Sequence, residues 1–183
     1  MDKVDVAIIG AGPVGLTLVS ALAGSGLQVA VVEPQSAASL AAPAFDGREI
    51  ALTHPSRQYL QQAGLWSHLD PARIWPLRQA RVRDRDLPFA LDVDNAGQRD
   101  GAPLAWLVAN WRLRLAAWQA ASAHPHWTLH DGSALVGLQQ HAGVWQLQLD
   151  TGQRLQADTV VAADSRFSTT RRLLGVGARS RDH

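Results

Sequence analysis

The chain of 183 residues contains no cysteine. This absence excludes disulfide bonds, thiolate metal sites, a Cys-x-x-Cys redox pair and a cysteine nucleophile, so any redox chemistry must depend on a bound cofactor. Long apolar runs are also missing, and none approaches the roughly 18 residues that cross a bilayer. The first residues lack the pattern of a secretory signal. The sequence therefore predicts no transmembrane segment and a cytoplasmic location.

An excess of either charge is missing as well. The 17 Lys and Arg residues nearly balance the 16 Asp and Glu residues, which argues against a nucleic-acid partner. The seven His are scattered, with no carboxylate or thiolate at ligand spacing, and predict no metal site. With 46% hydrophobic residues, the chain can bury a core and has the length of one ordinary domain.

A glycine-rich turn stands between an apolar strand pattern, residues 4–9, and an apolar helix pattern. Gly10 permits a tight turn off the strand. Gly12 has no side chain and lets the backbone approach a pyrophosphate, and Gly15 lets the helix pack closely on the strand. This spacing, followed by a second strand over residues 29–33, predicts a dinucleotide-binding unit.

Pro13 and Val14 open the helix of this unit, where unpaired N–H groups and the positive end of the helix dipole favour a phosphate. Proline is tolerated in the first helical turn, since its missing N–H would be unpaired anyway. Glu33 ends the second strand, where a carboxylate accepts hydrogen bonds from ribose hydroxyls and would repel a 2′-phosphate. NADP is therefore disfavoured at this site.

The middle of the chain does not continue a regular alternation of strands and helices. Residues 34–46 are rich in Ala, Ser and Pro and predict a loop, and Thr53 can cap a helix that runs to about Gly64. Residues 77–108 indicate strands with loops, including a polar loop over residues 94–101, and form a substrate-side excursion. A helix with an apolar stripe then follows Asn110, a plausible N-cap residue, and ends at His124 and Pro125.

From Trp127 onward the apolar period becomes two, and turn signals at residues 141–143 and 150–152 predict an antiparallel meander. The unbroken apolar run 159–163 is typical of a strand that is buried on both faces. Asp164 and Ser165 follow this run directly.

Three stretches carry a resemblance to a known family: the glycine fingerprint ending at Glu33, residues 45–53 (FDGREIALT) and residues 157–168 (ADTVVAADSRFS). On them the chain resembles the N-terminal half of the flavin-dependent aromatic hydroxylases of the para-hydroxybenzoate hydroxylase class, and within it the ubiquinone-biosynthesis hydroxylases. The resemblance implies an α/β, Rossmann-like FAD-binding fold of the glutathione-reductase type, with a β-meander and part of a substrate-side β region. Residues 1–183 would then be the N-terminal portion of an FAD-binding monooxygenase domain, with the C-terminal half absent.

This resemblance also implies cofactors, partners and site residues. FAD would be the cofactor and NAD(P)H the reductant, and the substrate a small aromatic compound or quinone precursor, with transient contact to a membrane surface or biosynthetic complex. Arg48 would lie by the flavin and its phosphates, although alone it could be a solvated arginine. Asn110 matches a flavin-side position and is equally explained by helix capping. Asp164 would serve flavin and NAD(P)H, but Ser165 replaces the glycine that follows it in the family and loses freedom at positive φ.

Three functions therefore stay open. The first is an FAD-dependent monooxygenase that hydroxylates an aromatic substrate with NAD(P)H and O2, whose hard chemistry belongs to the cofactor, so no acid, base or nucleophile is assigned. The second is an NAD-binding dehydrogenase, which shares the fingerprint. The third is a truncated nucleotide-binding module without turnover.

Overall fold

The computed structural model describes residues 2–83, 89–94 and 101–179. In chain order its strands and α-helices are β1 (Asp2–Ile9), α1 (Pro13–Ala21), β2 (Val29–Glu33), α2 (Ala37–Ala41), β3 (Glu49–Leu52), α3 (His54–Gln62), β4 (Trp75–Leu77), β5 (Gln79–Arg83), β6 (Ala90–Asp94), β7 (Ala105–Ala109), α4 (Asn110–Ser122), β8 (Trp127–Asp131), β9 (Leu135–His141), β10 (Val144–Leu149), β11 (Arg154–Ala162) and α5 (Thr169–Leu173). Two short 3-10 helices, Leu65–His68 and Pro71–Arg73, lie between α3 and β4.

The central sheet has six strands in the order β8-β2-β1-β11-β10-β9. The first four run parallel, with Val6 of β1 opposite Val29 of β2 and Thr159 of β11. Strands β11, β10 and β9 are antiparallel neighbours and form the predicted meander. The α/β, Rossmann-like fold expected from the sequence is therefore confirmed.

Both faces of the parallel strands carry a core. On one face α1 and α4 pack together, and the apolar stripe predicted for α4 is buried, including Leu113 and Ala117. On the other face Leu147 of β10 and Leu155 of β11 lie in one cluster with Ile9. The sheet is thus held between two helices and its own meander, and the ends of its parallel strands are fixed in position.

The segment between β3 and α4 forms two small sheets. Strands β3, β7 and β4 make an antiparallel sheet, and β5 pairs with β6 in a separate hairpin. The strands predicted for the 77–108 excursion are thus present. Of the polar loop predicted over residues 94–101, residues 95–100 lie outside the described residues.

Residues 34–46 are not a loop throughout, because α2 occupies Ala37–Ala41. Ser36 caps this helix by accepting a hydrogen bond from the Ser39 N–H at 3.3 Å, and alanine is the best helix former. The Asp131 carboxylate also accepts the Ala37 N–H at 2.7 Å, so a contact far along the chain stabilises the first turn. By contrast, the predicted cap at Thr53 is confirmed, since its hydroxyl accepts the Ser56 N–H at the start of α3.

The antiparallel meander begins at β9, later along the chain than the period-two pattern from Trp127 onward suggests. Strand β8 pairs in parallel with β2, with Trp127 opposite Val29 and Asp131 opposite Glu33. It therefore extends the parallel sheet rather than the meander. Local alternation does not reveal which partner a strand will have, and here α4 returns the chain to the parallel sheet.

The expectation that residues 159–163 are buried on both faces is wrong. Thr159 and Ala162 are exposed, and Val160 and Val161 are half-buried. The pairing of β11 with β10 stops at Ala157, so among the described strands the rest of β11 has only β1 as a neighbour. The composition of an apolar run does not tell how many neighbouring strands will cover it.

The glycine turn after β1 is packed tightly against the start of α1 and the end of β11. Gly10 has φ +108°, and a Cβ built on it would lie 2.6 Å from the Ala163 carbonyl oxygen. A Cβ on Gly15 would overlap the Gly10 carbonyl oxygen and crowd Ile8. Both positions therefore require glycine for packing, and Gly10 requires it for its positive φ as well.

Glu33 holds this turn from the neighbouring strand. Its side chain is 6% exposed, and Oε2 accepts the Ala11 N–H at 2.7 Å. Oε1 accepts the Gln35 N–H at 2.9 Å. The carboxylate thus joins the end of β2 to the turn that leads into α1.

Ser165 keeps the turn after β11 in the left-handed region, with φ +67°. Serine therefore occupies a backbone conformation here that favours glycine. An L-residue in this conformation carries a cost of about 1–2 kcal/mol. Serine retains the turn at the expense of stability.

We expect Glu33→Gln to lower the free energy of unfolding by about 1–3 kcal/mol, because the amide NH2 would face one of the two backbone N–H groups that the carboxylate accepts. Urea denaturation followed by circular dichroism measures the change. The exposed Glu49 offers a matched control, since Glu49→Gln should stay within about 0.5 kcal/mol of the unsubstituted protein. Equal stability of the two variants would contradict the role given to Glu33.

We expect Ser165→Gly to raise the free energy of unfolding by about 0.5–1 kcal/mol, since glycine relieves the left-handed conformation but loses more entropy on folding. Ala142, in the turn between β9 and β10, also has a positive φ, at 49°. Ala142→Gly should give a similar gain away from the turn after β11. Thermal melts of the two variants test this expectation, and a loss of stability in Ser165→Gly would contradict it.

Candidate functional site

A cleft of about 540 Å³ lies at the carboxyl ends of the parallel strands. In open α/β sheets this edge is where ligands bind. The residues that line it come from the ends of β1, β2 and β11, from the β8–β9 connection and from the start of α4, and include Gly10, Gly12, Pro13, Glu33, Gln35, Arg48, Asn110, Arg114, Ser133, Asp164 and Phe167. The strand ends that the fold fixes therefore converge on one cavity.

The N-terminus of α1 points into this cleft. Gly12 is its N-cap residue, with φ −73° and ψ 179°, and Pro13 is its first helical residue. No other described part of the chain would lie within 4 Å of a Cβ built on Gly12. Unlike Gly10 and Gly15, this glycine leaves room for something outside the protein, at a helix end that favours an anion.

Arg48 and Asn110 lie on the side of the cleft nearest the small sheet, and both contact Asp46. The Asp46 carboxylate accepts hydrogen bonds from Arg48 Nε at 2.9 Å and from Asn110 Nδ2 at 2.7 Å. The second use predicted for Asn110, helix capping, is wrong: the residue is the first of α4, and Ala109 occupies the N-cap position. Its side chain is directed to Asp46 because β3 and β7 pair beside it.

Asp164 lies at the opposite wall, just beyond β11. Its Oδ2 accepts the Thr170 N–H at 2.9 Å and the Thr170 hydroxyl at 3.0 Å, whereas buried Oδ1 has no hydrogen-bond partner among the described residues. Burial raises the pKa of Asp164, but the nearby Ser168 side chain and the hydrogen bonds from Thr170 outweigh it and hold the pKa below its usual range. The carboxylate is therefore ionised at neutral pH.

Seven of the nine residues predicted for the site line the cleft: Gly10, Gly12, Pro13, Glu33, Arg48, Asn110 and Asp164. Gly15 is buried in the contact between turn and helix. Val14 is 74% exposed and faces a second, apolar cavity of about 600 Å³ between α1, β3, α3 and α4. Of the nine predicted residues, Val14 and Gly15 therefore do not line the cleft.

Several lining residues escaped the sequence analysis. Arg114 stands four positions after Asn110 in α4 and so on the same helix face, which was a usable signal. Its Nη2 donates to Gln35 Oε1 at 2.9 Å. Ser133 follows β8, and recognising β8 as a parallel strand would have placed this residue at the cleft.

The cleft combines cationic and anionic groups at separate places. Arg48 and Arg114 lie on the α4 side, and Glu33 and Asp164 follow the strands. Such an arrangement suits an extended polar ligand with both anionic and hydroxyl-bearing parts. Within the described residues, no three or more His, Asp and Glu side chains cluster in a way that could hold a metal ion. No helix in the described part is long and apolar enough to cross a membrane.

Two sequence relatives of the chain are both hydroxylases. The chain is 36% identical over 182 residues to ubiquinone hydroxylase UbiM of Neisseria meningitidis, which covers 98% of the chain and 40% of that protein. It is 32% identical over 174 residues to 3-demethoxyubiquinol 3-hydroxylase of Escherichia coli, which covers 94% of the chain and 44% of that protein. The chain thus spans about two fifths of the length of these relatives.

Solved structures agree on the fold. OxyS anhydrotetracycline hydroxylase from Streptomyces rimosus superposes with a TM-score of 0.77 at 24% identity, over 98% of this chain and 35% of that one. The family model described as the FAD binding domain matches residues 3–183, which is nearly the whole chain. With its glycine turn, its acid at the end of β2 and this match, the chain belongs to the family of FAD-binding domains.

Proposed function

We propose that the chain forms the FAD-holding part of a monooxygenase that hydroxylates an aromatic substrate. The observation that carries this proposal is Gly12: it caps α1, faces open space in the cleft and shares that cleft with Glu33 and Arg48. Relatives that are ubiquinone hydroxylases support the reaction class. The activity belongs to the proposal, because the chain spans less than half of these relatives.

Different residues of the cleft fit different parts of FAD. The N-terminus of α1 would receive the pyrophosphate, since Gly12 leaves space and the helix end favours anions. Glu33 would accept a ribose hydroxyl at Oε2, which has a second lone pair beyond the Ala11 N–H, whereas Oε1 already accepts the backbone N–H and the side-chain Nε2 of Gln35. Its negative charge opposes a 2′-phosphate at this position, and therefore NADP.

Two further residues would hold the flavin half. Arg48 offers a guanidinium fork that suits phosphate oxygens, and Asn110 offers its amide beside it. Asp164 would place its negative charge at the opposite wall of the cleft, beside the flavin and NAD(P)H. When bound, FAD supplies the redox chemistry, taking electrons from NAD(P)H and using O2 to oxidise the ring. The protein binds and orients it and excludes water.

The substrate side of the proposal concerns residues 77–108. This excursion contains an exposed hairpin, β5 and β6, whose side chains at Val82 and Leu91 are 58% and 62% exposed. A small aromatic or quinone-precursor substrate would suit apolar surface of this kind. Transient contact with a membrane surface or a biosynthetic complex would follow from such a substrate.

The visible absorption spectrum tests the cofactor. The purified protein is incubated with FAD, free ligand is removed and the spectrum is recorded, with NAD binding measured in parallel by calorimetry. Retained flavin bands support the proposal and lead to assays of NAD(P)H oxidation with phenolic and quinone-precursor substrates. Retention of NAD without flavin would favour a dehydrogenase. Retention of neither would favour a nucleotide-binding module without turnover.

Gly12→Ala separates the site from the fold. We expect a free energy of unfolding within about 1 kcal/mol of that of the unsubstituted protein, because alanine accepts φ −73° and meets no neighbour but caps a helix less well than glycine. We expect FAD affinity to fall at least about tenfold, since the methyl group occupies the space of the pyrophosphate. Fluorescence titration with FAD and a thermal melt measure the two effects.

Gly15→Ala is the contrasting variant, because its Cβ would overlap the Gly10 carbonyl oxygen and destabilise the protein itself. If Gly12→Ala is as stable as the unsubstituted protein and binds FAD equally well, the pyrophosphate does not lie at this turn.

A further inference from the structure

Asp46 stands behind the cleft rather than in it. It precedes Gly47 and Arg48 in the connection to β3, and its side chain is 23% exposed. Arg48 and Asn110 line the cleft, and Asp46 contacts both of them from outside. A residue in this place can act on a ligand only through its two neighbours.

One carboxylate oxygen gathers three donors. Asp46 Oδ2 accepts from Arg48 Nε at 2.9 Å, from Arg48 Nη2 at 2.7 Å and from Asn110 Nδ2 at 2.7 Å. The other oxygen accepts the Arg48 backbone N–H at 3.3 Å. The Asn110 backbone N–H in turn donates to the Arg48 carbonyl at 2.9 Å. The network therefore fixes the side chains of Arg48 and Asn110, and a direct hydrogen bond joins the backbones of these two residues.

The carboxylate is ionised throughout the working range of pH. Hydrogen bonding from Asn110 and from Arg48 lowers the pKa of Asp46 to about 2. The negative charge orders the guanidinium through one edge, formed by Nε and Nη2. The edge that carries Nη1 faces away from the carboxylate and remains for a second acceptor.

We propose that Asp46 is a positioning residue, which holds the Arg48 guanidinium and the Asn110 amide in the orientation that receives FAD. This proposal rests on the proposed function. An ordinary exposed ion pair contributes little, because solvent screens it. Asp46 differs in joining two residues of different elements, the β3 strand region and α4, that line the same cleft.

Because Asp46 is negatively charged, the two roles that it could have predict opposite changes in FAD affinity when the charge is removed. If Asp46 were only a local negative charge, Asp46→Asn would tighten the binding of FAD, since the phosphates would lose a repelling neighbour. If Asp46 positions Arg48 and Asn110, the same change weakens binding, because a charge-assisted hydrogen-bond network is lost. The direction of the change therefore separates the two roles.

We expect Asp46→Asn to raise the dissociation constant for FAD about tenfold or more, measured by fluorescence titration. In an Arg48→Ala background the same change should have much less effect, since the residue through which it acts is gone. Asp158→Asn is the matched control: it removes an exposed ion pair with Lys3, at 3.1 Å, that does not line the cleft. Its FAD affinity should stay within about twofold.

A measurement without FAD makes the test independent of the cofactor. In NMR spectra of the free protein, the Arg48 Nε–H and Asn110 side-chain amide signals should shift or broaden in Asp46→Asn and stay in place in Asp158→Asn. Unchanged signals, or unchanged or tighter FAD binding in Asp46→Asn, would overturn the positioning role. Failure of the unsubstituted protein to retain FAD would instead overturn the proposed function, and this inference with it.

Discussion

The hydrogen bond from the Ala11 N–H to the Glu33 carboxylate is the contact on which the site depends. Glu33 ends β2, and Ala11 lies in the turn between β1 and α1, so the bond ties two adjacent parallel strands at their carboxyl ends. Gly10 closes the same point from the other side, where it touches the end of β11. Three strand ends thus meet at one turn, and the N-terminus of α1 is aimed from there into the cleft.

This arrangement fixes the orientation of the Glu33 carboxylate. A ribose-binding acid at the end of the second strand was predicted from its spacing alone, but its backbone contacts were not. Because both oxygens already accept N–H groups of the protein, the acid is oriented before any ligand arrives. Preorganisation of this kind lowers the entropic cost of binding.

Local patterns predicted those parts of the molecule whose cause is local. The glycine turn, the Thr53 cap and the buried stripe of α4 follow from spacing and residue type within one segment. The parallel pairing of β8 and the exposure of Thr159 depend on partners far along the chain, which alternation does not identify. The same reason explains why Asp46 was missed: it lies 64 positions from Asn110, and only the pairing of β3 with β7 brings them together.

The turn after β11 combines two unfavourable features in adjacent residues. Ser165 is held at positive φ, and the buried Oδ1 of Asp164 has no partner among the described residues. A stable surface turn would have no reason to keep either, since glycine would relieve the first and a donor would satisfy the second. Strain and unsatisfied polar atoms persist where the surrounding structure enforces them, and they concentrate at binding sites. This turn forms a wall of the same cleft as Gly12 and Arg48, so its cost falls at the edge of the sheet where open α/β folds bind ligands.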